Sequence, residues 1–386
     1  MINILDDDIL VDILTRVSAK SLDQIRYFSK YCFNMISDPY FVQQHNLHCS
    51  DYGFIIHEKP SNYSKNSTKY FIKMNDGSSG GKIGQQYNLS NVLKGNILAC
   101  CNGLVLLQSC DKSILRVVNP TTKQQLKLQH FDLICNNREF YGFAFVPSTH
   151  EYKIARLHTE SMDLKCELVV LNSSHDLQWR SIDGPSITMT KGFQYRPYSV
   201  GGVLYWIGYS QRMVLCLDVG AEKFYQTTLP DFISLSKGRI IGMGSFLCLL
   251  KYVAPDQLDI WILKNFRTGE WIKKREIFLP MQSKIIECLP IWISDNGELI
   301  VFRMKNKLWA YNVELHKWTK LPKKVGKFVF WGPHVSSIVS PKFIAKSTAA
   351  TMYYSPKEAR SIVEDTVPPD ISHIVDNMAL ILDSDS

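Results

Sequence analysis

The sequence predicts a mainly β protein in which three short helices precede a ring of about six four-stranded units. Two patterns predict it: an apolar stripe at helical spacing near the amino terminus, and a strand, turn, strand unit recurring about every 47 residues through the rest. The composition supplies the material. At 386 residues, 45% hydrophobic and 21% charged, the chain is globular rather than disordered and can build a sizeable core.

The first helix rests on Ile9, Leu10, Ile13, Leu14 and Val17, which share one broad face at 3.6 residues per turn. Asp6, Asp7 and Asp8 suit its positive end and can cap it. A second amphipathic piece runs from Ser21 through Leu22, Ile25 and Phe28 to Met35 or Ile36. Asp38-Pro39 opens a third, with Asp at the cap and Pro at the first helical position. Three helices within residues 1–48 bury too little surface to stand alone. Part of the stripe therefore needs cover, from the neighbouring body or from a partner.

These residues carry a resemblance. Leu5, Asp7, Asp8, Ile9, Leu10, Ile13, Leu14, Arg16, Lys20-Ser21-Leu22, Arg26, Ser29-Lys30, Ile36-Ser37-Asp38-Pro39 and Phe41 resemble the F-box of plant F-box proteins position by position. The resemblance implies docking to a Skp-type adaptor, and through it to a cullin, with Leu5, Ile9, Leu10, Ile13, Leu14, Val17 and Leu22 facing the adaptor. Asp6 and Ser18 stand where that motif has Pro, and Cys32 where it has Trp. Such departures leave the stripe intact and bear on how tightly it docks.

Residues 49–344 carry the repeat. Apolar strands end at Asn119, Asn172, Asp218, Asn265 and Asn312, spaced 53, 46, 47 and 47 residues apart, and each is followed by a polar turn. Four of the turns then reach an aromatic, at Trp179, Phe224, Trp271 and Trp318. Between anchors a further strand pair carries glycine, at Gly103, Gly142, Gly201-Gly202, Gly244 and Gly297. Four strands in about 47 residues is the size of a propeller blade. One blade alone has two apolar faces and exposed edges, and radial packing relieves both problems. The aromatics then pack between blades, and the glycines let inner strands crowd the axis. Tyr52–Ile56 and Tyr70–Met74 supply strands of a sixth blade, which Lys327–Trp331 closes.

Cys101-Asn102-Gly103-Leu104, Asn119-Pro120-Thr121-Thr122, Tyr141-Gly142-Phe143, Tyr152-Lys153-Ile154, Trp179-Arg180-Ser181, Gly202-Val203-Leu204-Tyr205-Trp206 and Leu258-Asp259-Ile260-Trp261 resemble the kelch-like F-box-associated domain of plant proteins. That resemblance implies a body that recruits a target protein for ubiquitination and performs no bond chemistry itself. The polar stretch Ser61–Gln86 is expected to be a loop. Residues 345–386, with Pro368-Pro369 and seven acidic against three basic side chains, are expected to be a flexible tail.

The amino terminus runs from Met1 straight into acid, without the basic start and apolar run of a secretory leader. The expected location is cytoplasmic, nuclear or both, with ten cysteines as reduced thiols. The net charge of +8 is concentrated in the body, yet its lysines and arginines are scattered singly, so no nucleic acid or membrane partner is nominated. Nor is a cofactor or metal. Gly80-Gly81-Lys82 lacks the rest of a phosphate loop, His45, His48 and Cys49 lack a second ligand pair, and Gly242-Met243-Gly244-Ser245 lacks the second glycine of a nucleophile elbow. Two alternatives stand beside a ubiquitin-ligase receptor: a propeller enzyme or carbohydrate-binding module, and a plain interaction scaffold whose F-box has degenerated.

Overall fold

The computed structural model describes residues 7–48, 51–59, 67–74, 84–110, 114–128, 139–160, 163–171, 177–185, 196–208, 212–230, 238–254, 256–279 and 288–341. Leu5, Gly80-Gly81-Lys82, most of the loop expected over Ser61–Gln86 and the tail expected over 345–386 lie outside these residues.

Four helices open the described chain: α1 (Asp7–Thr15), α2 (Ala19–Ile25), α3 (Lys30–Ser37) and α4 (Pro39–His48). The single amphipathic piece expected from Ser21 is split in two. The cause is Ser29, whose hydroxyl accepts the Cys32 amide at 3.0 Å and starts a new helix. Ser18 caps α2 in the same way, accepting the Ser21 amide at 3.2 Å, so the serine at this position has a local use. Asp38 accepts the Tyr40 amide at 2.8 Å and starts α4 at Pro39, as the Asp-Pro pair predicts.

The body is a six-bladed β-propeller of four-stranded sheets. Its first blade takes β1 (Tyr52–Glu58), β2 (Thr68–Lys73) and β3 (Gln85–Asn88). Five blades follow in chain order, from β4 (Asn96–Cys101) to β7 (Gln125–Leu128), β8 (Glu139–Val146) to β11 (Arg180–Ile182), β12 (Tyr198–Val200) to β15 (Lys223–Thr228), β16 (Gly238–Met243) to β19 (Glu270–Phe278), and β20 (Cys288–Ile293) to β23 (Lys317–Lys324). The last strand, β24 (Phe328–Val335), returns to pair with β1 and completes the first blade. Closure therefore runs through Lys327–Trp331 and Tyr52–Ile56 as the sequence predicts. The strands β4, β8, β12, β16, β20 and β24 touch in that cyclic order and surround the axis.

Each pair of neighbouring blades shares an apolar core. Trp179 packs between the second and third blades, Phe224 between the third and fourth, Trp271 between the fourth and fifth, and Trp318 between the fifth and sixth. The second blade lacks the aromatic: Gln125, opposite Val118, holds the equivalent position and is exposed, while Leu126 faces the core shared with the third blade. Burying one such large side chain contributes about 1.5–3 kcal/mol, so the six shared cores hold the ring together.

The anchor residues have a common geometry. Asn119, Asp218, Asn265 and Asn312 each turn a side-chain oxygen onto a backbone amide two or three residues ahead, at 2.8–3.0 Å. Four residues past each anchor the chain enters the left-handed region, at Lys123, Glu222, Gly269 and His316. Asn and Asp recur because their short side chains replace a backbone partner in such turns. The glycines need a correction. Gly103, Gly201, Gly202, Gly244 and Gly297 have φ between 55° and 80° and turn the chain out of the inner strand, rather than letting strands crowd. Gly142 fits the crowding account, since a Cβ there would lie 2.4 Å from Leu204 Cδ1 of the next blade.

Candidate functional site

The broad stripe of α1 divides in the fold. Leu14 is 2% exposed and Leu22 is fully buried, both in a helical core with Ala19, Ile25, Ile36 and Phe41, so neither lies on the surface where the sequence placed them. Leu10 and Val17 are half-buried against that core, whereas Ile9 is 51% and Ile13 39% exposed. The reason is angular. Leu10, Leu14 and Val17 fall at i, i+4 and i+7 and point inward onto the helical core, while Ile9 and Ile13 sit about 100° round the helix and point out.

Five further large hydrophobic side chains of the helical region are exposed, four of them outside the apolar pattern read from the sequence. They are Tyr27, Tyr31, Tyr40 and Leu47, with Phe28, an apolar position of the second amphipathic piece. With Ile9 and Ile13 they make seven of the fourteen large hydrophobic side chains exposed among the described residues, within a short stretch of chain. A concentration of exposed apolar side chains is a feature that interaction sites share. Arg26 shows the same inversion from the other side: it is 2% exposed, ion-paired with Asp23 at 3.3 Å, while its neighbour Tyr27 points to solvent. Burial raises the Asp23 carboxyl above the usual carboxylate range. The outer surface also carries the exposed Asp12–Arg16 pair at 3.0 Å.

The helices are fixed to the ring by residues 336–340. Ile338 enters the helical core, and Val42 of α4 touches both that core and the one between the second and third blades. Asn119, fully buried, donates from Nδ2 to the carbonyls of Ser337 and Val339 at 2.8 Å each. The Ser336 amide donates to the Asp51 carbonyl at 2.8 Å. The apolar surface thus sits on a body that holds it firmly.

The other candidates from the sequence have structural roles. His45 is buried, stacks on Phe41, and its Nε2 lies 3.0 Å from the Val17 carbonyl; burial lowers its pKa. His48 is exposed against the Gln44 carbonyl. Gly244 and Ser245 form the turn between β16 and the strand Phe246–Ala254. Burial pushes the thiols of Cys166, Cys216 and Cys248 up to about 12, which keeps them as unreactive apolar groups. Among the described residues no group of three or more His, Cys, Asp or Glu is placed to hold a metal ion, and no helix is long and apolar enough to cross a membrane.

Comparison with known proteins agrees with this architecture. The family described as "F-box associated beta propeller domain" matches residues 51–321. The F-box/kelch-repeat protein At3g23880 of Arabidopsis thaliana is 24% identical over 335 residues, covering 79% of this chain and 86% of that protein. F-box protein CPR1 of the same plant is 24% identical over 352 residues, covering 81% and 83%, and F-box protein At3g07870 is 24% identical over 280 residues, covering 60% and 67%.

Proposed function

Because this chain belongs to the F-box associated β-propeller family, we propose that it is the substrate-recognition subunit of a Skp-cullin-F-box ubiquitin ligase. Residues 1–48 dock on the adaptor, residues 49–344 hold a target protein, and the reading places the molecule in the cytoplasm, the nucleus or both. The observation that carries it is the gathering of exposed apolar side chains, Ile9 and Ile13 among them, on helices anchored to a closed propeller. Relatives named as F-box proteins support it. Rate enhancement would come from holding the target near a ubiquitin-charged enzyme rather than from any side chain of this chain.

Ile9 and Ile13 are the residues to test, since changing them leaves the helical core intact. Binding of a purified Skp-type adaptor to the full chain should fall about 100-fold or more in the Ile9→Asp, Ile13→Asp double variant, because two large apolar contacts are lost. Leu315→Asp, at an exposed turn of the sixth blade, should bind like the wild type. Failure of the wild type to bind adaptor would replace the receptor with a plain interaction scaffold.

A further inference from the structure

Three basic side chains form one row, two on the first blade and one that reaches it from the fourth. His57 pairs across the sheet with Lys69 on one side and with Phe330 of the closing strand on the other. Cross-strand partners project from the same face of a sheet, so Phe330, His57 and Lys69 line up toward the second blade. The guanidinium of Arg196, from the fourth blade, lies over the Phe330 ring at 5.1 Å and extends the row. His57 is 1% and Lys69 3% exposed.

Among the described residues no carboxylate joins them. Lys69 Nζ donates to the Ser67 hydroxyl at 3.2 Å, Arg196 donates to the Val329 carbonyl, and His57 Nδ1 has no hydrogen-bond partner among the described residues. The other cations buried this deeply have a carboxylate: Arg26 has Asp23, and Lys153 has Glu222 and Glu151. A buried charge without an opposite charge or a full set of hydrogen bonds is costly. Burial, then Lys69 and Arg196, push His57 down to about 4, and burial lowers Lys69. Lys69 and Arg196 make His57 harder to charge, and an anion among them would reverse that.

We propose that the His57, Lys69 and Arg196 row binds a phosphate-type oxyanion, either free phosphate or a phosphorylated side chain of the protein that the body recruits. Two cationic donors and an imidazole match an ion with two charges and several acceptor oxygens better than a single carboxylate does. The row lies about 17 Å along β1 from the strand end beside the helices, so occupants of the two surfaces need not collide. Only the phosphorylated-protein source rests on the receptor reading.

The test follows unfolding of the full chain in inorganic phosphate against chloride of equal ionic strength. At phosphate about ten times the half-saturating concentration, the wild type should gain about 2–4 °C in Tm. Lys69→Met and Arg196→Lys should lose most of that gain, and Lys264→Met, an exposed lysine of the fifth blade, should keep it. Should Lys69→Met fail to fold, Arg196→Lys and direct phosphorus NMR titration of the wild type decide. No gain over chloride, no binding by NMR, or a gain unchanged in the folded variants overturns the site. The source is settled by competition with acetyl-Gly-phosphoserine-Gly-amide and its unphosphorylated counterpart. Displacement of phosphate by the phosphopeptide at tenfold lower concentration assigns the site to a phosphorylated protein; a phosphopeptide no better than phosphate assigns it to the free ion. Adaptor binding is measured apart, so either result can fail alone.

Discussion

His334 lies on the closing strand with its ring edge against Phe71 at 5.2 Å, and is 6% exposed. Burial pushes it down to about 3 from the usual 6.5, so the folded chain keeps it neutral where the unfolded chain binds a proton. Between pH 6.5 and 3 the unfolded state holds more protons, and stability falls as pH falls, by up to about 1.4 kcal/mol per unit from this group. Wild-type stability in urea should thus drop from pH 7.5 to pH 5, with about 2 kcal/mol from His334, and His334→Leu should flatten the drop. An equal drop in both proteins would clear His334 of the effect. Residue type alone did not mark this histidine, because its burial comes from Phe71 across the sheet. The anchors were legible, since Asn119, Asp218, Asn265 and Asn312 act through amides two or three residues away. Ile9 and Leu14 look alike in sequence and separate only when α1 packs, and the buried Arg26 beside the exposed Tyr27 defeats any rule of polarity.

At the scale of elements, the turn after the third strand of the second blade does two things at once. Asn119 Oδ1 accepts the Thr121 amide at 2.8 Å and shapes the turn, while Nδ2 holds the segment 336–340 that carries Ile338 to the helices. The sequence exposes only the first task, because the segment it grips lies more than 200 residues away. Asn119→Ala takes the partner from two carbonyls and two amides, each worth about 1–3 kcal/mol when buried and unmet. We expect a loss of about 2–4 kcal/mol in urea unfolding, together with faster hydrogen exchange in residues 336–340 and α4. Asn119→Asp should keep the turn yet free the segment, since it retains the acceptor and loses the donor. Unchanged exchange in both variants would show that Ile338 and Val42 alone hold the helices in place. The strands and turns of each blade were legible because their contacts recur at short range. The four-helix arrangement was not, because Ser29 interrupts a pattern whose apolar positions run on without a break.

The whole molecule is a ring, and that constraint appears in no single repeat. Six shared cores close on one another, so each blade is covered on both faces, unlike an open stack whose end units face water. The last of these junctions depends on β24. It supplies Phe330 to the core between the first and second blades, and Phe328 and Trp331 to the core between the sixth and first. It also covers the edge of β1 along its full length. Ending the chain after Lys327 removes this strand and Ile338 with it, leaving an unpaired edge beside Ile55 and Ile56, which are both fully buried in the intact ring. Unpaired edges of this kind pair with other chains. The shortened protein should therefore elute as oligomers and lose the single cooperative transition expected of a ring whose blades support one another. A synthetic peptide of Phe328–Val335 should restore the monomer, because what is missing is one strand with its own register. A shortened chain that stays monomeric with an unchanged urea midpoint would mean that five complete blades and a three-stranded first blade are self-sufficient. Closure by the returning strand would then be incidental to stability, and the ring would serve only to place the helices.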